Sequence, residues 1–230
     1  MRSRLLAFSA MLGLLPAVAS AAERPVVVEL FTSEGCSSCP PADAYLTELS
    51  HAGRNVLPLA FHVTYWNGLG WKDPFSLDAA TQRQARYGSR FGDGSYTPEM
   101  VVDGVRGFVG SERGEVGSAI QKAREDRTVA SVTVSREGGR VSVQVGPGSG
   151  TGRLLLIGFD PEHQTAVGRG ENSGRTLTES NIVRSVRTIG QWSGASLQVS
   201  EPMPAGQDVA VLLEAPDGRI VGASRLGGDS

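Results

Sequence analysis

Thiols are scarce in this chain, which has two cysteines, Cys36 and Cys39, in 230 residues. They lie two residues apart, so a framework of dispersed disulfides stapling distant segments is excluded. Positive charge is not in surplus, with 22 Lys and Arg against 24 Asp and Glu, and no basic field invites nucleic acid. No G-x-S-x-G turn stands between a strand and a helix, which leaves a serine hydrolase without its nucleophile elbow. Gly146–Gly152 (GPGSGTG) is followed by neither lysine nor helix, so it reads as a turn-rich loop rather than a phosphate cradle. No internal repeat is visible.

What is present begins with an address. Arg2 and Arg4 precede an apolar stretch from Leu5 to Val18 and the small residues Ala19-Ser20-Ala21, the pattern of a secretory signal peptide covering residues 1–21. The stretch is interrupted by Ser9, Gly13 and Pro16 and falls short of the ~20 residues that span a bilayer. The mature chain is expected to be soluble, free of the membrane, and periplasmic or secreted. Removing Arg2 and Arg4 leaves 20 basic residues against 24 acidic ones.

The chemistry concentrates in Thr32–Asp43 (TSEGCSSCPPAD). Upstream, Val26–Phe31 (VVVELF) is a short β-branched run typical of a strand buried on both faces. Downstream, Ala44, Tyr45, Leu46 and Leu49 recur at helical spacing, and Pro40 and Pro41 are tolerated only in a first helical turn. The pair therefore sits at a strand-to-helix turn, with the helix starting at Ser38 or Cys39 and Cys36 expected to stay exposed. A helix N-terminus stabilises a thiolate, and Cys-X-X-Cys closes a small ring, so the pattern is that of a redox centre. A purely structural disulfide closing so short a loop would constrain little of the unfolded chain.

The rest of the first part follows in order. Val56–Val63 (VLPLAFHV) predicts a second buried strand, and Thr64–Phe75 (TYWNGLGWKDPF) an aromatic loop. A helix is expected over Leu77–Tyr87, a β-hairpin over Glu99–Val109 around Asp103-Gly104, and a helix capped by Ser111 running through Arg124. Strand, Cys-X-X-Cys helix, strand, helix, Thr97-Pro98, hairpin, helix resembles the thioredoxin fold. The strings ELFTSEGCSSCPPAD, FHVTYWNGLGWKDPF, YTPEMVVDG and GRGENSGRTLTESNIV are, as a set, similar to a bacterial family of secreted thioredoxin-like proteins of unknown function. The resemblance implies a cis bond before Pro98 beside the cysteines, and a Thr97 backbone that receives an extended partner chain.

Beyond Arg127 short alternating segments separated by glycine-rich turns read as all-β: Val129–Ser135, Val141–Val145, Leu154–Phe159, Asn181–Thr188, Ser196–Ser200, Val209–Leu213 and Ile220–Ala223. The expected fold class is an α/β thioredoxin-like domain over residues 23–127 followed by a smaller all-β sandwich over residues 128–226.

Within that frame Cys36 is the expected attacking thiolate and Cys39 the resolving thiol, exchanging disulfides with a protein or small-molecule thiol partner without a cofactor. Glu29 is an acid inside the apolar first strand. It is either a proton shuttle for Cys39 or a salt-bridged structural residue; the acid of similar placement in thioredoxins corresponds to Leu30 here, and one position reverses the side of a strand. His62 is a satisfied core residue, a thiolate partner, or a third ligand with Cys36 and Cys39 for a soft cation such as copper(I), the alternative function. Trp66 and Trp71 line a cleft or plug their loop. A redox-inert binding module is the third reading. Arg169, Glu171, Asn172 and Arg175 form a polar cluster that reads as a solvated loop, with a binding role as the alternative, and His51 and His163 lie in polar surroundings and need no function.

Overall fold

The computed structural model describes residues 24–126 and 129–227. The expected signal peptide over residues 1–21 and the boundary read at Arg127/Thr128 lie outside the described residues. The first part holds β1 (Val26–Thr32), α1 (Pro40–His51), β2 (Val56–His62), α2 (Asp78–Phe91), β3 (Glu99–Val102), β4 (Arg106–Val109) and α3 (Arg113–Ala123). The second holds β5 (Val132–Glu137), β6 (Arg140–Val145), β7 (Gly152–Ala166), β8 (Thr176–Trp192), β9 (Leu197–Pro202), β10 (Asp208–Glu214) and β11 (Ile220–Arg225). Both residues of the β3–β4 turn, Asp103 and Gly104, have positive φ, as a two-residue hairpin of this hand requires. α3 is preceded by Glu112 with no side-chain cap, so Ser111 does not cap it.

The expected fold class is overturned. The chain does not build an α/β thioredoxin-like domain followed by a sandwich. It builds a mostly β structure in which strands from both parts join one mixed eight-stranded sheet, ordered β11-β10-β7-β8-β2-β1-β3-β4, with a three-stranded sheet β5-β6-β9 beside it. The reason lies in β2. All seven of its residues are buried, so both its faces and both its edges need partners. One edge takes β1 in parallel register from Val26↔Val56 to Thr32↔His62. The other takes β8, in parallel at Ala60↔Ile182. Asn181, at φ 50°, turns its amide to donate to the Pro58 carbonyl at 2.8 Å.

The core follows the same seam. On one sheet face Val27, Phe31, Leu57, Leu59 and Phe61 pack with Ala80 and Tyr87 of α2, and also with Leu155, Ile157, Phe159, Val183, Ala210 and Leu212 from the later strands. On the other face Val26, Val28 and Leu30 pack with Ala42 and Leu46 of α1 and Val116 and Ile120 of α3. The three-stranded sheet covers the opposite side of β7 and β10 through Val141, Val143 and Val145 against Leu154, Leu156, Val209 and Val211. Each buried leucine or isoleucine among them, truncated to alanine, costs ~2–5 kcal/mol.

Two strands far exceed their sequence signal. β7 and β8 run 15 and 17 residues, because the polar ends Asp160–Ala166 and Thr176–Ser180 continue as an antiparallel ribbon from Glu162↔Ser180 to Ala166↔Thr176. That ribbon carries residues 167–175 to the cysteine turn.

Candidate functional site around the Cys36–Cys39 disulfide

β1 ends at Thr32 and the chain turns at once: the Cys36 amide donates to the Ser33 carbonyl at 3.0 Å, and the Glu34 amide to Asp73 Oδ2 at 2.9 Å. The Cys39 amide then donates to the Cys36 carbonyl, and the Cys39 carbonyl accepts from Ala42 and Asp43, which starts α1 with prolines in its first turn. This fixes the two cysteines with Cα atoms 5.4 Å apart, joined as a disulfide.

Cys36 Sγ has two hydroxyl neighbours, Ser38 Oγ and Thr97 Oγ1, each at 3.4 Å. The Thr97–Pro98 peptide is cis. Trp66 Nε1 donates to Thr97 Oγ1 at 2.8 Å, and an indole N–H can only donate. Its bond occupies an acceptor position of the threonine and leaves the hydroxyl proton directed at the sulfur. Trp71 Nε1 donates to Glu34 Oε2 at 2.6 Å. Both tryptophans of the aromatic loop are thus brought to the cysteine turn, one through Thr97 and one through Glu34.

The expected exposure of Cys36 is corrected. Cys36 and Cys39 are both 0% exposed, while the spacer residues Ser37 and Ser38 face solvent. A segment that reads as a solvated loop in sequence is tied to the cysteine turn. Asn172, itself fully buried, donates through Nδ2 to the carbonyls of Glu34 and Cys36, both at 2.9 Å. Arg175 holds the Asn172 Oδ1 at 3.0 Å, and Glu171 accepts from the Ser37 amide and hydroxyl at 3.2 and 2.6 Å. A β-carbon on Gly70 would come within 3.3 Å of Gly170, so two glycines let the aromatic loop and the ribbon tip meet. The only local signal for this strap is a short Gly-Asn-Ser cluster between two alternating segments, which by itself marks a turn.

Glu29 is drawn elsewhere. Along β1 the residues Val27, Glu29 and Phe31 point toward α2, whereas Val26, Val28 and Leu30 point toward α1, the helix that follows the cysteines. Both Glu29 oxygens are taken up by Arg83, at 2.6 and 3.1 Å, with Tyr87 Oη donating to one of them at 2.5 Å. This is the salt-bridged alternative.

His62 is buried with both ring nitrogens toward acids: Nδ1 lies 2.7 Å from Asp73 Oδ2 and Nε2 3.8 Å from Glu179 Oε1. Burial opposes its charge, but Asp73 and Glu179 outweigh that and raise it to about 10. Burial raises Glu179 to about 8 and Asp43, which accepts from Thr32 Oγ1 at 2.7 Å, to about 6. Behind the disulfide therefore stands a buried set of protonatable groups around one imidazolium. The copper set is not assembled, since the two sulfurs are bonded to each other and the imidazole is committed to carboxylates. Among the described residues no group of three or more His, Cys, Asp or Glu side chains gathers around a metal position.

Comparison with solved structures finds protein AGR_C_4864 from Agrobacterium tumefaciens, 32% identical, with a TM-score of 0.78 over 89% of this chain and 95% of that one. HBP35 of Porphyromonas gingivalis has a TM-score of 0.63 at 13% identity, over 88% of this chain and 74% of that one, a likeness of fold alone. Comparison with curated proteins found no match. The family model described as "Protein of unknown function (DUF1223)" matches residues 27–214, and the chain belongs to that family.

Proposed function

We propose that this chain is an exported thiol–disulfide oxidoreductase that exchanges its Cys36–Cys39 disulfide with a protein or small thiol partner. The observation that carries the reading is the pair of hydroxyls on Cys36 Sγ, one of them aimed by Trp66, at a sulfur beside the start of a helix. Hydroxyl hydrogen bonds and the positive end of the helix dipole favour a thiolate over a thiol. A disulfide with only a structural task has no use for them. Export rests on the Arg2/Arg4 start, the apolar Leu5–Val18 and the small residues that follow.

In the oxidising-protein direction a partner thiolate attacks Cys36 Sγ, the Cys36–Cys39 bond breaks, and Cys39 leaves as a thiolate that takes a proton. The partner's second thiolate then attacks the partner sulfur of the mixed disulfide and expels Cys36 as a thiolate. Two electrons pass from the partner's dithiol to this chain, and the partner leaves as a disulfide. With both cysteines buried, the first attack requires local opening of the cysteine turn. The test is trapping. Cys39→Ser should accumulate a mixed disulfide through Cys36, and Cys36→Ser should abolish insulin reduction by the reduced protein. If Cys36→Ser equals wild type in both assays, the reading is wrong.

A further inference from the structure

A second concave site lies on the far side of α2, away from the cysteines. A cavity of about 420 Å³ is bounded by Arg83, Arg86, Arg90, Arg153 and the Ala215–Gly218 turn, and a smaller one of about 190 Å³ adjoins it, sharing Arg83, Arg86 and Arg153. Charge is not balanced there. Arg83 is committed to Glu29 and Glu214, and Arg153 to Glu214 through Nε and Nη2. The remaining acid, Asp217, is engaged by Arg219 at 2.7 Å. Arg90 donates to the carbonyls of Asp217 and Gly104 and lies over the rings of Tyr87 and Phe91, with no carboxylate bonded to its guanidinium among the described residues. Arg86 has no hydrogen bond or ion pair among the described residues. Partial burial, with Arg83 and Arg153 beside it, pushes its guanidinium below the ordinary range.

We propose that this arginine-lined cavity binds a small polyanion, a molecule carrying phosphate or multiple carboxylate groups, held by Arg86 and Arg153. Four arginines, Arg83, Arg86, Arg90 and Arg153, line a concavity of small-ligand size whose own acids are already spoken for. A guanidinium fork matches carboxylate and phosphate oxygens in pairs. An apolar ligand would instead have to strip water from these cations without replacing their hydrogen bonds. The site is separate from the disulfide and stands whether or not thiol exchange is the activity.

The test is calorimetric titration of the full chain with pyrophosphate and, separately, with citrate. Saturable binding of either probe is expected, weakening as salt is raised. Arg86→Gln should weaken it about tenfold, a loss of about 1.4 kcal/mol, while Arg136→Gln, an exposed arginine on β5, should leave it unchanged. Pyrophosphate alone binding would assign a phosphate ligand, and citrate alone a carboxylate one. Absence of saturable binding for both probes, or equal affinity in wild type and Arg86→Gln, overturns the proposal.

Discussion

At the scale of single residues, what distinguishes the two cysteines is their company. Thr97 Oγ1 donates to Cys36 Sγ because Trp66 Nε1 donates to Thr97. Replacing Thr97 by Val removes the hydroxyl and keeps the shape. A hydrogen bond to a charged group is worth ~1.5–3 kcal/mol, so the Cys36 pKa in reduced Thr97→Val should rise by about 1–2 units, read from thiolate absorbance against pH; an unmoved pKa would dissociate Thr97 from the thiolate. Glu29→Gln makes the opposite kind of prediction. It leaves Arg83 paired with Glu214 alone, a loss of ~1–3 kcal/mol, seen as a lower urea midpoint, while the Cys36 titration of the folded protein stays in place.

His62, Glu179 and Asp43 give stability a pH dependence of definite sign. Each is raised in the folded chain, to about 10, about 8 and about 6, so each binds its proton more tightly folded than unfolded. Their contribution is present below their ordinary ranges and is lost as pH rises through those folded values. Asp73, lowered chiefly by its pairing with His62 against the cost of burial, works the other way at acid pH. Melting temperature should therefore fall between about pH 5 and about pH 9, and His62→Gln should flatten the alkaline part of that fall. A melting temperature that climbs over the same interval would contradict the buried arrangement.

At the scale of elements, the β7–β8 ribbon is the part that ties the cysteine turn to the second part of the chain. Asn172 spends both amide hydrogens on the carbonyls of Glu34 and Cys36. Asn172→Ala removes two hydrogen bonds of ~1 kcal/mol each, which lowers the cost of opening the strap. Reduction of the disulfide by dithiothreitol should accelerate about thirtyfold if opening precedes attack. An unchanged rate would mean that the sulfurs are reached by another route. The ribbon also explains why sequence reading went wrong in this stretch: Asp160–Ala166 and Thr176–Ser180 are polar at most positions, and strand recognition that relies on apolar alternation stops where the core stops. The reading of Asn172 as solvated failed for the same reason, since its partners lie 136 and 138 residues away.

At the scale of the molecule, one core cluster draws on β1, β2 and α2 as well as on β7, β8, β10 and β11. Parts that share a core unfold together. A single transition, coincident by fluorescence and circular dichroism, is expected for the whole chain. A fragment ending at residue 126 would expose Leu57, Leu59 and Phe61 where the later strands cover them, and should not fold alone. Two separated transitions would show that the seam at Ala60↔Ile182 joins independent units.

The amino-acid sequence by itself determined the local pieces. β-branched runs made β1 and β2, Pro40 and Pro41 set where α1 starts, and Asp103-Gly104 made the β3–β4 turn, because torsional preference and short-range periodicity act within a few residues. Only the tertiary structure decided which strand borders β2, where the Glu29 carboxylate goes, and what lies over the cysteines. Those outcomes are settled by buried edges and buried charges finding partners, and the partners stand tens to more than a hundred residues away, beyond the reach of any local pattern.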